Sequence, residues 1–141
     1  MFAELATATV MVTLTVLIHG AGLFVLSRIL RIETQEEALA KMHPLSPRGI
    51  TVTVLVVLGL FVVHGLEIWL YAFLYQALGA VHGLRNSVYF STVTYGAIGY
   101  DDRAMAEPWR LVAAIEGING IMLIGWSTAF FVTLVGRLRR F

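Results

Sequence analysis

The stretch YFSTVTYGAIGYDD, residues 89–102, has no glycine in its first half and two glycines in its second half. Its first part can form a short helix that begins at about residues 86–87 and ends near Tyr95. Its second part cannot easily continue that helix, because Gly96 and Gly99 permit backbone geometry that other residues resist. The stretch therefore predicts a half-helix followed by a glycine-punctuated strand.

Three long apolar segments surround this stretch, one well before it and one on each side of it. They run from about Ala6 to Leu30, from about Ile50 to Leu78 and from about Trp109 to Val135. Each is longer than the roughly 20 apolar residues that a spanning helix needs. The chain is 58% hydrophobic and 13% charged, whereas soluble domains have about 45–50% apolar and 25% charged residues. The sequence predicts an all-α membrane protein with three transmembrane helices.

Residues 79–108, between the second and third segments, are too polar and glycine-rich to span a bilayer alone. Non-helical backbone at membrane depth is tolerated only when it is buried in protein or lines a water-filled cavity. We therefore predict a re-entrant helix and loop held between the second and third transmembrane helices.

The first apolar segment has a competing interpretation as a secretory signal peptide. Such a peptide has basic residues before its apolar run and a small-residue cleavage site after it. Here Glu4 precedes the run without any lysine or arginine, and Arg28 and Arg31 follow it. These flanks favour a retained helix.

Residues 31–49 form a polar linker after the first segment. Thr34 and Glu37 fit a capping box, in which each side chain satisfies a backbone N–H at a helix start. The short helix that they open should end before Pro44, because proline disfavours helical geometry in the preceding residue. Pro47 suits the first turn of the next helix.

The distribution of lysine and arginine in short loops predicts the orientation. Seven basic residues lie on the side of the linker and the C-terminus: Arg28, Arg31, Lys41, Arg48, Arg137, Arg139 and Arg140. Three lie on the other side: Arg85, Arg103 and Arg110. The N-terminus and the loop should be outside and the C-terminus cytoplasmic. Aromatic residues should sit near the outer interface, namely Trp69, Tyr71, Tyr75 and Trp109.

The re-entrant stretch resembles the potassium-channel superfamily, in particular small bacterial ion-channel proteins with one pore loop between two helices. Their loop typically reads Tyr-Phe-Ser-x-Val-Thr-x-Thr-Thr-x-Gly-Tyr-Gly-Asp, and the matching residues are Tyr89, Phe90, Ser91, Val93, Thr94, Gly99, Tyr100 and Asp102. The second segment is similar through His64, Glu67, Ile68 and Trp69. The third is similar through Trp109, Arg110, Leu111, Glu116, Asn119, Gly120 and residues 125–129. The resemblance covers about residues 50–136.

The resemblance implies an oligomeric cation channel, a homotetramer in the lipid bilayer of a bacterial inner membrane. Its selectivity filter would consist of Gly96, Ala97, Ile98, Gly99, Tyr100 and Asp101. The expected ligand is a permeant cation, K⁺, Na⁺ or Ca²⁺, with no resident metal, other cofactor or nucleic-acid partner. The chain would divide into a transmembrane helix (1–30), a cytoplasmic linker (31–49), a pore domain (50–136) and a basic cytoplasmic tail (137–141).

Two filter positions depart from the family pattern. Ala97 stands where the family has its second threonine, and Asp101 stands where it has its second glycine. Filter carbonyls and the threonine hydroxyl replace the hydration shell of an ion, so these changes predict weak selectivity. An alternative register would use Thr94, Tyr95 and Gly96 as the threonine–x–glycine of the filter, at the cost of the upstream match.

Asp101 and Asp102 are adjacent acids at the expected outer mouth. Four copies around a pore would form a ring of carboxylates, which attracts cations and favours divalent ions. The alternative is a pair of solvated loop acids, paired with Arg103.

Charged residues inside the apolar segments are costly in lipid and should face protein or water. His64 and Glu67 share a helix face because they are three residues apart, and Glu116 and Asn119 share another. One interpretation is a proton or metal site built from His64, Glu67 and Glu116. The other, which we favour, is a buried hydrogen-bond network that braces the loop. His19 has no obvious partner in the sequence.

Three functions remain open at this point. The first is a weakly selective cation channel, the second is a non-conducting channel-like subunit, and the third is a small proton- or metal-coupled transporter. An enzyme is not expected, because the sequence contains no evident nucleophile–base pair or phosphate loop.

Overall fold

The computed structural model describes residues 1–30, 45–99 and 102–137, and the regular structure in these ranges is helical. Helix α1 is Phe2–Ile29, α2 is Pro47–Ala77, α3 is Leu84–Tyr95 and α4 is Arg110–Arg137. Two short 3-10 turns, Asp102–Ala104 and Glu107–Trp109, connect α3 to α4. The predicted linker helix, Tyr100, Asp101 and residues 138–141 lie outside the described ranges.

Three of these helices are long and apolar enough to cross a membrane. They comprise 28 residues in α1, 31 residues in α2 and 30 residues from Glu107 to Gly136. At 1.5 Å per residue, each exceeds the hydrocarbon core of about 30 Å. The prediction of an all-α protein with three transmembrane helices is confirmed.

Helix α2 begins as its sequence predicts. Ser46 is the N-cap residue, and its Oγ accepts a hydrogen bond from the Gly49 N–H at 3.1 Å. Pro47 occupies the first helical position, where the backbone N–H that proline lacks would have no intrahelical partner.

Helix α1 packs against α2 at a crossing where each helix presents a glycine to the other. A methyl group at Gly22 would lie 2.5 Å from Val63 Cγ2, and one at Gly59 would lie 2.6 Å from Leu26 Cδ1. In lipid, helices associate through such close packing rather than through the hydrophobic effect. Since α1 also contacts α4, it belongs to the same bundle as the other two long helices.

Helix α3 is the short helix of the predicted re-entrant segment, and it packs between α2 and α4. Phe90 of α3 is buried against Tyr75 of α2, with ring centroids 5.6 Å apart and an interplanar angle of 86°. Tyr71 and Tyr75, which the sequence places near the outer interface, are fully buried in the bundle and therefore pack against protein rather than lipid. They are four residues apart and therefore share the face of α2 that packs inward.

The chain after α3 turns instead of forming the predicted strand. The Ala97 N–H donates to the Thr94 carbonyl at 3.0 Å and the Ile98 N–H donates to the Val93 carbonyl at 2.9 Å. This pair of bonds is a Schellman motif, whose reversal needs a left-handed residue. Ala97 supplies it with φ of 52°. A glycine is usual at this position because a Cβ makes the left-handed conformation costly.

Candidate functional site

The predicted filter residues begin at the C-terminal end of α3. Gly96, Ala97, Ile98 and Gly99 are exposed on the single chain, and the apolar side chain of Ile98 is 76% exposed. The C-terminal end of a helix carries partial negative charge, which favours a nearby cation. Asp102 begins the first 3-10 turn.

In the alternative filter register, the first filter residues would lie in a helix. Thr94 and Tyr95 form the end of α3, and both are buried. Within the described residues, the buried Thr94 Oγ1 has no hydrogen-bond partner. In this register the first two filter residues would be helical, so their carbonyls would belong to the helix and not to an extended filter.

Glu116 of α4 connects the short helix to α2. Its carboxylate accepts hydrogen bonds from Ser91 Oγ of α3 and from the Tyr75 hydroxyl of α2, each at 2.5 Å. Glu116 is fully buried, and a buried polar group needs such partners because desolvation is otherwise uncompensated. This carboxylate therefore fixes α3 between the two long helices.

Glu67 of α2 has a second, separate set of partners. The Tyr95 hydroxyl at the end of α3 donates to Glu67 Oε2. His19 Nδ1 of α1 lies 3.0 Å from Glu67 Oε1, and His64 Nδ1 lies 3.4 Å from Glu67 Oε2. Glu67 thus joins α1, α2 and α3, and its α3 partner Tyr95 is the residue before Gly96, the first residue of the predicted filter.

Asn119 forms a third set of contacts. Its Nδ2 donates to Thr15 Oγ1 of α1 at 2.8 Å and to the Tyr71 hydroxyl at 3.4 Å. The sequence assigns His64, Glu67, Glu116 and Asn119 to one polar network. In the structure Glu67, Glu116 and Asn119 each have different hydrogen-bond partners. Glu116 hydrogen-bonds with Ser91 and Tyr75 and not with His64, which differs from the hypothesis of a site built from His64, Glu67 and Glu116.

Several participants are not evident from the sequence. His19 is buried against Glu67, and Ser127 of α4 contacts the Nε2 atoms of both His19 and His64. Tyr95 occupies a variable position of the family loop pattern, yet it supplies a hydroxyl to Glu67. The available signal for His19 was its position as a lone ionisable residue inside an apolar segment, which requires some buried partner.

We expect Glu67→Gln to preserve folding and assembly better than Glu67→Leu. Leucine would remove the acceptor of His19 Nδ1 and would leave the Tyr95 hydroxyl its contact to His64. Each buried polar group that becomes unsatisfied costs about 1–3 kcal/mol. Glutamine retains an oxygen acceptor. Thermal unfolding and size-exclusion profiles in detergent measure the difference. The same two changes at the exposed Glu107 are the control and should both be neutral, and equal tolerance of Gln and Leu at position 67 would contradict the bonded role.

Comparison with known proteins yields one family match. The family model described as ion channel matches residues 50–137. This range contains α2 from Ile50 onward, α3, α4 and the predicted filter, and it excludes α1. No curated protein and no solved structure is significantly similar to the chain.

Proposed function

Because this chain belongs to the ion channel family, we propose that it forms an oligomeric, potassium-channel-like cation channel with weak selectivity. Membership in the family and three membrane-spanning helices make the chain an integral membrane protein. The proposed permeant ion and selectivity rest on the geometry around α3 and on the filter sequence, and the proposed subunit number rests on the family resemblance.

The observation that carries the proposal is the exposure of residues 96–99 on a single chain. Non-helical backbone at membrane depth needs protein or a water-filled cavity around it. On a single chain, one side of this loop is not covered by protein. Ile98 is 76% exposed and borders an apolar cavity of about 540 Å³ between α2, α3 and α4. Further copies of the chain would cover this side and enclose the loop.

A ring of four copies fits the family resemblance. Four α3 helices would direct their C-terminal ends, with their partial negative charge, toward a common axis. The backbone that follows would line the axis with carbonyl oxygens, which take the place of water around a permeating cation. We propose K⁺ and Na⁺ as the permeant ions, with Ca²⁺ as a permeant or blocking ion.

The filter sequence argues for weak discrimination between K⁺ and Na⁺. Ala97 has no hydroxyl to contribute to a coordinating ring, and its left-handed backbone closes a turn at the base of the filter. Asp101 replaces a glycine at the outer end. Fewer stacked oxygen rings let an ion keep part of its hydration, and a carboxylate ring at the mouth would concentrate cations.

Cation flux into liposomes that contain the purified protein tests this function. We expect K⁺ and Na⁺ fluxes of comparable size, with Ca²⁺ either carried or slowing both, and none in protein-free liposomes. An intact oligomer without flux of any cation would support the alternative of a non-conducting subunit. Uptake that requires a proton gradient and Glu67 would support the transporter instead.

We also propose that the N-terminus lies outside and the C-terminus in the cytoplasm of a bacterial inner membrane. The support is the seven-to-three distribution of basic residues, which favours the cytoplasm for the richer side. A reporter enzyme that works only in the cytoplasm should be active when it is fused after Phe141, and one that works only in the periplasm should be inactive there. Periplasmic activity at this position would invert the arrangement.

A further inference from the structure

A compact polar cluster lies where all four helices meet. It contains His19 of α1, His64 and Glu67 of α2, Tyr95 of α3 and Ser127 of α4. The two imidazole rings lie 5.2 Å apart between centroids. His19 and Glu67 are fully buried, so their polar atoms depend on one another for partners.

Five contacts hold this cluster together. His19 Nδ1 contacts Glu67 Oε1 at 3.0 Å, Tyr95 contacts Glu67 Oε2, and His64 Nδ1 contacts the Tyr95 hydroxyl at 2.9 Å. Ser127 Oγ contacts His19 Nε2 at 3.3 Å and His64 Nε2 at 3.0 Å. If all five contacts are hydrogen bonds, each of them needs a hydrogen atom of its own.

The groups in the cluster bring fewer hydrogens than these contacts require. A neutral histidine carries one ring hydrogen, a tyrosine and a serine carry one hydroxyl hydrogen each, and an ionised glutamate carries none. Four hydrogens therefore face five contacts, whichever ring nitrogens are protonated. The cluster lacks one positive charge, which either an additional proton or a metal cation can supply.

We propose that the cluster binds a divalent transition metal ion of the Zn²⁺ class through His19 Nδ1, His64 Nδ1, the Glu67 carboxylate and Tyr95 Oη. The histidine nitrogens and the carboxylate lie within 4.8 Å of one another. His64 Nδ1 lies 2.9 Å from Tyr95 Oη and 3.4 Å from Glu67 Oε2, and His19 Nδ1 lies 3.0 Å from the other carboxylate oxygen, Oε1. A tetrahedron with metal–ligand bonds of about 2.0 Å has an edge of about 3.3 Å.

Ser127 completes the arrangement around these ligands. When both Nδ1 atoms bind the metal, both Nε2 atoms carry hydrogen, and the two lone pairs of Ser127 Oγ accept both N–H groups. Metal-bound histidines commonly donate their other ring N–H in this way, which fixes the orientation of the ring. The hydrogen shortage is then removed.

The charge of the site also balances. Metal binding would displace the Tyr95 hydroxyl hydrogen as a proton to solvent, because a bound cation favours the deprotonated form of its ligands. The Glu67 carboxylate and the Tyr95 phenolate then neutralise the two charges of the ion. A net-neutral site avoids the large cost of an uncompensated charge at membrane depth.

The ion has a route to the cluster. His64 is 17% exposed and lines the cavity of about 540 Å³, together with Tyr95 and Ser127. By contrast, the Glu116 carboxylate contacts the hydroxyl groups of Tyr75 and Ser91, and within the described residues it belongs to no cluster with histidines. The inference of a resident metal therefore applies to the Glu67 cluster alone among these two sites, and it replaces the sequence-based expectation that the chain holds no resident metal.

Titration of the purified, chelator-stripped protein in detergent with Co²⁺ and Zn²⁺ tests this inference without any measurement of ion flux. We expect one Co²⁺ per chain with the visible absorption of a tetrahedral ion, displaced by Zn²⁺, and a higher unfolding temperature with Zn²⁺. His19→Gln and His64→Gln should lose more than about 100-fold in affinity, since changes to outer-shell partners alone cost 10–100-fold. Ser127→Ala should lose about 10–100-fold.

His82→Gln is the matched control, because His82 is exposed in the loop before α3 and should leave Co²⁺ affinity and spectrum unchanged. If His19→Gln does not fold, Ser127→Ala retains all four ligands and still tests the assignment. Equal Co²⁺ binding by the wild type and by folded His64→Gln and Ser127→Ala variants would overturn the proposal. Failure of the chelator-stripped wild type to bind Co²⁺, with a protonated imidazole visible by nitrogen NMR, would overturn it as well, because the missing charge would then be a proton.

Discussion

Gly120→Ala should abolish flux and destabilise the assembled protein. A Cβ at position 120 would lie 2.1 Å from the backbone oxygen of Tyr95 and 2.8 Å from its carbonyl carbon. These are backbone atoms at the end of α3, so no rotamer change relieves the clash and the helix end must move. Overpacking of this kind costs about 1–3 kcal/mol. The displacement also shifts Gly96, the first residue of the proposed filter, and moves the Tyr95 hydroxyl away from Glu67.

Gly125→Ala is the matched control for this change. Gly125 lies on the same helix, and a Cβ there would meet no atom within 4 Å inside the subunit. Alanine is favoured over glycine in a helix by about 0.5–1 kcal/mol, so this variant should be at least as stable as the wild type. Unfolding temperature, oligomer size and liposome flux measure both variants. A fully active Gly120→Ala protein would contradict the close packing of α4 against α3.

Ala97→Thr combined with Asp101→Gly should shift the channel toward K⁺ over Na⁺. Threonine restores a hydroxyl to the filter, and its branched Cβ strongly disfavours the left-handed backbone that Ala97 adopts at φ of 52°. Both effects favour an extended filter with an additional ring of oxygens. Glycine at position 101 removes one of the two acids of the proposed carboxylate ring, so inhibition or permeation by Ca²⁺ should weaken as well.

The control replaces the same two residues but keeps the turn. Ala97→Gly with Asp101→Gly preserves the left-handed position without adding a hydroxyl, and it should stabilise the turn, because glycine has no Cβ to oppose the left-handed conformation. K⁺ and Na⁺ flux through liposomes should remain similar in size for this variant. If the wild-type protein already excludes Na⁺, or if the threonine variant is unchanged, the interpretation of these two positions is wrong.

Local features of the sequence were sufficient for the outline of the fold. Hydrophobicity along the chain specified three spanning helices, because a lipid environment accepts little else over about 20 residues. Ser46 and Pro47 specified where α2 begins, since capping and proline act within one helical turn. The glycines after Tyr95 correctly predicted where α3 ends. They did not predict the left-handed turn at Ala97, because alanine rarely adopts that conformation.

The sequence also identified Glu67 and Glu116 as residues that need buried partners, because a charge in lipid is costly wherever it occurs. It could not supply the partners themselves. Glu67 contacts His19 across a separation of 48 residues, and Ser127 contacts His19 across 108.

Such pairs follow from the crossing of α1 over α2 at Gly22 and Gly59 and from the position of α4 behind both. Those crossings depend on the shapes of facing helix surfaces, which interact through many weak contacts at close range. Hydropathy and local spacing carry no record of which surfaces face each other. The sequence places His64 and Glu67 on one helix face, but the approach of His19 and Ser127 to that face exists only in the packed bundle.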